Sequence, residues 1–490
     1  MIGGLGIVPS STINLYKQTS KFEIMAEQPN IILILTDHFR PDAVGLSTPN
    51  LQLLTERGVR FTNACCASPL CQPARASIIT GKFPSQHGIC GNQADPIHPD
   101  LRADTFMNHL QAAGYFTALI GKHHYLDRFG LGMDVTDDAP QIKLYGFDSV
   151  VQVVDDDENL HNDDAYTHHL RKKGLLEKFR NLFDELAWEC KPHPFEEEDT
   201  PDGFIGRQCV EFIRGYDRRQ PFYLNLSFIG PHPPYWHPGE LRHDPEAMHE
   251  PLGSADNRPL QRGSVKYQAL SLSARENRAH YMDKCALIDR WVGLMMNVLK
   301  ERGFFENTVI IFTSDHGDNL GDFGIWDKRY FFEQCVGVPL ICAGPGIQAG
   351  DGRSGDRISK AMVSHLDLYP TLLDIAGVSR RSDHTFWGRS LAPLLRGEIG
   401  THHQAVFAEL ATSVMIRTAA WKLVFDPEQG GVTHFYNLAR DPKELENLAG
   451  VAGYEAISRR LIEQILSHRI RLSQYTHSKE EKRLQRIRTS

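Results

Sequence analysis

Cys71-Gln72-Pro73-Ala74-Arg75, running directly into Ala76-Ser77-Ile78-Ile79-Thr80-Gly81, sets a nucleophile-capable side chain one helical turn from a cation. Proline is accepted in the first turn of a helix, where its missing N–H would lack a partner anyway, so Pro73 predicts a helix beginning near Cys71. The N-terminus of such a helix favours negative charge, in a nucleophile and in a substrate alike. Arg75 returns to the Cys71 face by the i,i+4 spacing. A second chemistry lies in two acid–imidazole pairs. Asp37-His38 follows the apolar run 31–35, and Asp315-His316 follows the run 308–313. In open α/β sheets, sites gather beyond the carboxyl ends of strands, so both pairs and the Cys71 loop are placed to share one divalent ion. The plainer reading is a buried cysteine before a proline-started helix, with strand-end aspartates making turns.

Such a site needs a sheet to carry it. The continuous apolar run 31–35 reads as a central strand covered on both faces. Pro49 opens a helix through about Arg57, with Gly58 as its C-cap. Asp104 or Thr105 caps a helix stopped by Gly114, and Thr200-Pro201 starts another to about Arg214. Strands are expected at 116–120, 222–228 and 308–313. Tyr281, Cys285, Ile288, Val292, Met295 and Leu299 recur at steps of four and three, a long core-facing helix ending at Gly303. This alternation predicts an α/β fold: a large mixed, mostly parallel sheet flanked by helices on both faces. After Leu395 the texture changes to short strands at 405–409, 413–417, 421–425 and 432–437 and a terminal helix near 454–472. The expected units are therefore a detached extension over 1–27 (with Met25 an alternative start), a catalytic domain over 28–400, and a smaller C-terminal antiparallel α+β domain over 401–490. The pattern weakens over 131–200, where the acidic runs Asp155-Asp156-Asp157-Glu158 and Glu196-Glu197-Glu198-Asp199 read as solvated surface insertions, and 236–275 reads as an irregular stretch lining or covering the mouth of the site. Asp156, Asp157, His161, Asp163, Asp164, His168 and His169 show no repeated ligand spacing and read as a loop face rather than a second metal site.

Taken in order along the chain, these residues resemble the formylglycine-dependent (type I) sulfatases of the alkaline phosphatase superfamily, near the choline sulfatases and phosphonate monoester hydrolases. The resemblance implies that Cys71 is oxidised by a formylglycine-generating enzyme and that the hydrate attacks sulfur or phosphorus. Gly121-Lys122-His123-His124 resembles the family's Gly-Lys-x-His element. Lys122 is thereby implied to bind the transferred group, and His124 to serve the nucleophile. Pro231-His232-Pro233-Pro234 resembles its Pro-His-x-Pro element, which implies that His232 contacts the ester between φ-fixing prolines. Lys328, thirteen residues after Asp315, matches the lysine that reaches the leaving-group oxygen, and Asn92, twenty-one after Cys71, a polar substrate contact. Arg75 is implied to stabilise charge on the transferring group. The implied metal ligands are Asp37, His38, Cys71, Asp315 and His316, around one divalent ion, Ca2+ first, with Mn2+ or Mg2+ in keeping. Position 38 departs from the pattern, since relatives usually carry Asp-Asp or Asp-Gln after the first strand. The implied activity is cleavage of a sulfate monoester to inorganic sulfate and an alcohol. Its nearest rival is a phosphonate monoester or phosphodiester hydrolase, and a further one is a degenerate binder of sulfated ligands. A two-metal zinc phosphotransferase would need a further Asp/His cluster.

Composition bounds the partners. A net charge of −8, from 53 basic and 61 acidic residues, argues against general nucleic-acid binding. The longest apolar runs fall short of a membrane span, and residues 1–10 lack the basic start of a secretory signal. Nine cysteines without a spaced framework suit reduced thiols, hence a cytoplasmic location. The expected partners are a small-molecule or saccharide sulfate ester and the generating enzyme, with no nucleic acid and no membrane; the basic tail 468–490 is a candidate reach to a second copy.

Overall fold

A computed structural model describes residues 28–489 apart from 46, 93–95, 127–131, 157, 187–191, 194, 254–271, 350–356 and 380–386. The expected extension over 1–27 and Asp157 lie outside the described residues, as do the side chains of the basic tail from 474 onward.

Eight strands form one sheet: β1 Asn30–Asp37, β2 Gly58–Cys65, β3 Phe116–Gly121, β4 Ser149–Gln152, β5 Phe222–Pro231, β6 Thr308–Ser314, β7 Leu340–Ala343 and β8 Arg357–Ser364. Their order is β8-β2-β7-β6-β1-β5-β3-β4. All neighbours run parallel except β7, which is antiparallel to β2 and β6. The period of two along β1 explains its unbroken apolar run. Ile32 and Ile34 enter the core on one face with Ile205, Ile288 and Val292. Ile31, Leu33 and Leu35 enter the core on the other face with Phe106 and Leu372. A strand buried on both faces has no position for a polar side chain until it leaves the sheet.

The helices used below are α1 Pro49–Glu56, α2 Cys71–Thr80, α3 Phe106–Ala112, α4 Ala165–Lys173, α5 Pro201–Gly215, α6 Ala274–Glu301 and α7 Leu368–Ile375. Their starts follow capping chemistry. Thr105 accepts from the Asn108 N–H, Thr200 accepts from the Gly203 N–H, and Ser273 with Glu276 forms a capping box at α6. A second sheet, β9 Ala405–Leu410, β10 Ser413–Thr418, β11 Trp421–Asp426 and β12 Gly431–Asn437, is antiparallel throughout and is followed by α8 Glu455–Thr489. Val414, Ile416, Leu423, Phe435, Leu461 and Ile465 close its own small core. Ion pairs tie it to the large sheet's loops, with Arg417 on Glu333 at 2.8 Å and Lys422 on Glu333 at 2.7 Å.

Two expectations are corrected. Gly58 does not cap α1; Arg57 does, and Gly58 opens β2, where a Cβ would stand 2.0 Å from the Cys342 carbonyl oxygen of β7. Asp155 and Asp156 are buried rather than solvated. The neighbouring acids and imidazoles disperse into separate roles, with His168 on Asp134, His169 on Asp199, and Asp164 capping α4.

The contact of α5 with α6 leaves no room at Gly206, where a Cβ would lie 2.2 Å from Trp291 Cδ2. Gly206→Ala is expected to destabilise the protein by about 1–3 kcal/mol through overpacking, read as a lower urea midpoint at unchanged slope.

Candidate active site

Adjacent strand ends deliver the polar groups to one place. Asp37 closes β1 and His38 follows it; Asp315 and His316 follow β6; Lys122 follows β3; His232 follows β5. Cys71 is the first residue of α2, with Leu70 extended before it and Gly81, at φ 64°, ending the helix. These side chains are buried, and among the described residues the ligand atoms of Asp37, His38, Cys71 and His316 all lie within 4.8 Å of one another.

Cys71 Sγ is the centre of the cluster. It lies 2.9 Å from Lys328 Nζ, 3.2 Å from His316 Nε2 and 3.6 Å from Asp37 Oδ1. Burial alone would push the thiol up, but Lys328, Lys122 and His316, with a hydrogen bond from His124, hold it well below an ordinary thiol. The sulfur thus stands where this protein stabilises an anion. His124 reaches it from a left-handed backbone position, φ 57°, while His123 turns away and accepts from the Tyr125 N–H.

Arg75 is buried among four acceptors. Its Nε donates to Asp315 at 2.8 Å, Nη2 to Asp37 at 3.3 Å, and Nη1 to the Lys122 carbonyl at 3.1 Å and Ser227 Oγ at 2.9 Å. The guanidinium thus spans both carboxylates and two neutral oxygens. Lys122 is likewise held, with Nζ 2.6 Å from Asp37 Oδ2 and 2.6 Å from both oxygens of Asp155. Burial and the Cys71 sulfur push the Asp37 carboxyl up, yet Lys122, Arg75 and His232 hold it well below the usual range. Burial and Asp37 together raise Asp315.

Three imidazoles point Nε2 toward the centre, each fixed by its other nitrogen. His38 Nδ1 lies 2.8 Å from Asp318 Oδ2, His316 Nδ1 lies 2.8 Å from the Gly317 carbonyl, and His232 Nδ1 lies 2.7 Å from the Pro233 carbonyl. A carboxylate or carbonyl behind Nδ1 is the arrangement that orients a metal-binding imidazole. Lys328 Nζ lies 2.8 Å from His38 Nε2 and 3.1 Å from His232 Nε2. Burial would lower His316, but Asp315 and Cys71 raise it. Two imidazole nitrogens beside the Asp37 and Asp315 carboxylates fit a divalent ion, and nitrogen donors suit Mn2+ better than Ca2+.

Several groups escape sequence reasoning. Asp318, which also accepts from Tyr235 at 3.0 Å, anchors His38. Asp155 partners Lys122. Lys284 donates to the His232 and Pro234 carbonyls at 2.9 and 3.1 Å, holding that loop. The strand-end position of Asp318, three residues past Asp315, was the available signal for it. Asn92 is brought to the mouth of α2, where its side-chain oxygen accepts from the Gln72 N–H at 3.1 Å.

Residues 29–378 match the family model described as Sulfatase, and residues 321–471 the one described as N-sulphoglucosamine sulphohydrolase, C-terminal. The chain is 32% identical over 462 residues to a choline-sulfatase of Rhizobium meliloti, covering 86% of this chain and 82% of that protein. It is 29% identical over 472 residues to an arylsulfatase of Clostridium perfringens, covering 87% and 92%. The solved phosphonate monoester hydrolase of Agrobacterium radiobacter superposes with a TM-score of 0.73 at 26% identity, covering 91% of this chain and 96% of that one.

Removing the carboxylate behind His38 tests whether that imidazole is a ligand. Asp318→Ala is expected to weaken divalent-metal affinity by about 10–100-fold, measured by competition with a chelating dye, whereas unchanged affinity would leave His38 outside the ligand set.

Proposed function

The chain belongs to the sulfatase family and is a sulfuric ester hydrolase, and from that premise we propose that Cys71 works as formylglycine, with Lys328, held by His232, receiving the departing oxygen. The observation that carries this reading is the set of groups around Cys71 Sγ: Lys328 Nζ at 2.9 Å, His316 Nε2 at 3.2 Å and Asp37 Oδ1 at 3.6 Å. An oxygen nucleophile borne by this residue would start at the helix N-terminus with cations on two sides.

A divalent ion held by Asp37, His38, Asp315 and His316, with the oxidised residue 71, would polarise a sulfuryl oxygen and ease ionisation of the attacking hydroxyl. The chain's own residues do the rest. Asp315, raised by burial and by Asp37, is the carboxylate suited to accept a proton. His124, hydrogen-bonded to Cys71, is placed to take a second proton from the group at position 71 as sulfate leaves. Lys328 donates toward the leaving oxygen, and His232, kept neutral by burial and by the Lys328 charge, holds that ammonium at Nε2. Arg75 keeps Asp37 and Asp315 in register. Lys122, shared between Asp37 and Asp155, reaches the transferred group by loosening one of them, whereas Lys328 Nζ already stands 2.9 Å from Cys71 Sγ.

The same reading takes a small alcohol or a saccharide as leaving group and a formylglycine-generating enzyme as maturation partner. It places the protein in the cytoplasm on its cysteine usage. A second reading, phosphonate monoester hydrolysis, is favoured by the superposition on such an enzyme, since both reacting groups carry one negative charge.

Peptide mass spectrometry across Cys71, after co-expression with a generating enzyme, is expected to show aldehyde in place of thiol, and Cys71→Ala to abolish turnover while folding normally. Full activity with an unmodified thiol overturns the mechanism. In a side-by-side assay of the matured enzyme, an aryl sulfate is expected to have a higher kcat/KM than the matching aryl phenylphosphonate. A tenfold reversal, about 1.4 kcal/mol of transition-state stabilisation, would make the second reading the better one.

A further inference from the structure

Asp367, His402 and His403 form a second convergent cluster, whose ligand atoms also lie within 4.8 Å of one another. Asp367 is fully buried in the turn after β8, where its carboxylate accepts from the Ser364 N–H at 2.8 Å and the Arg389 N–H at 2.7 Å. Those bonds fix both oxygens and leave lone pairs facing the two imidazoles. His403 Nε2 lies 2.8 and 3.0 Å from the two carboxylate oxygens. His402 Nε2 lies 3.4 Å from Oδ2, is buried, and makes no hydrogen bond. One carboxylate therefore has two ring nitrogens aimed at it and satisfies one of them. A buried polar atom left without a partner is costly.

A cation resolves the arrangement. We propose that Asp367, His402 and His403 hold a divalent transition-metal ion, Zn2+ by donor chemistry, through one carboxylate and both Nε2 atoms. Two imidazoles and a carboxylate are the donors that select Zn2+ or its neighbours over Ca2+ and Mg2+. The site shares no residue with the one at Cys71: Asp367 follows β8, the edge strand of the sheet. Its position gives it a structural role. His402 and His403 immediately precede β9, the first strand of the C-terminal sheet, and the His403 N–H donates to the Met362 carbonyl of β8 at 3.2 Å. An ion here would clip the chain entering the smaller sheet to the edge of the larger one.

Co2+ alone, loaded into chelator-stripped protein, is the probe, with metal analysis and the visible d–d spectrum as readouts. Wild type is expected to retain two equivalents, and His402→Ala/His403→Ala one, with aryl sulfate hydrolysis within about twofold of wild type. The complementary Asp37→Ala/His316→Ala protein, inactive, is expected to keep the other equivalent and its spectrum. The proposal is overturned if His402→Ala/His403→Ala retains the wild-type stoichiometry and spectrum. It is equally overturned if Asp37→Ala/His316→Ala binds no Co2+, a result that holds even if the first variant fails to fold.

Discussion

One guanidinium holds the active site together. Arg75 joins the ends of four strands to the helix that carries Cys71: Asp37 from β1, Asp315 from β6, the Lys122 carbonyl after β3, and Ser227 of β5. Two carboxylates buried side by side repel each other, and only a delocalised, always-charged fork can face both while bonding two neutral oxygens. Removing one partner of such a buried pair typically costs about 3–5 kcal/mol, because the other charge is left uncompensated. The arrangement therefore owes less to net stability than to geometry. With Arg75 in place, Asp37 and Asp315 stand in fixed register and the Cys71 sulfur faces them.

The parts that were legible in the sequence are those whose physics is local. β1 and β6 announce themselves because strands covered on both faces must be apolar until they end, which is why Asp37 and Asp315 stand out as strand-end residues. Thr105, Thr200 and Ser273 mark helix starts by the hydrogen bonds they accept, and the four short strands after Leu395 alternate clearly enough to be counted. β2, β7 and β8 were not legible. β7 has four residues and reverses direction, and β2 and β8 carry exposed polar positions that break any run. Asp155 looked like part of a solvated acidic loop because its partner, Lys122, is supplied by a neighbouring strand end rather than a neighbouring residue. Asp318 and His38 meet across 280 positions of chain, which no spacing rule reaches. The four acceptors of Arg75 were hidden for the same reason, although its helical spacing from Cys71 was visible.

The backbone around the site is also unusual. His38, His124, Asp327 and Arg329 all adopt positive φ, at 68°, 57°, 73° and 77°. Non-glycine residues are held there only when their surroundings over-determine them, at about 1–3 kcal/mol each. His38 shows how that is done: its carbonyl accepts from Tyr281 at 2.9 Å and its ring is locked by Asp318. The strain aims Nε2 at the centre instead of along the strand. The C-terminal sheet contributes at a distance, since Arg417 and Lys422 grip Glu333, five residues past Lys328, and so steady the loop that presents it.

The walls around Cys71 are made late in synthesis. Its sulfur is enclosed by His316 and Lys328, 245 and 257 positions further along the chain. A ribosome adding roughly 5–20 residues per second needs about 13–51 s to deliver Lys328 after Cys71. Throughout that interval the thiol segment emerges with half of its enclosure unmade, and once β6 and its loop dock, the thiol is 1% exposed. If residue 71 is oxidised as proposed, that oxidation is a race between a modifying enzyme and elongation. Codon usage or pausing between positions 71 and 328 would set the fraction of chains that become active without altering one residue of the finished protein.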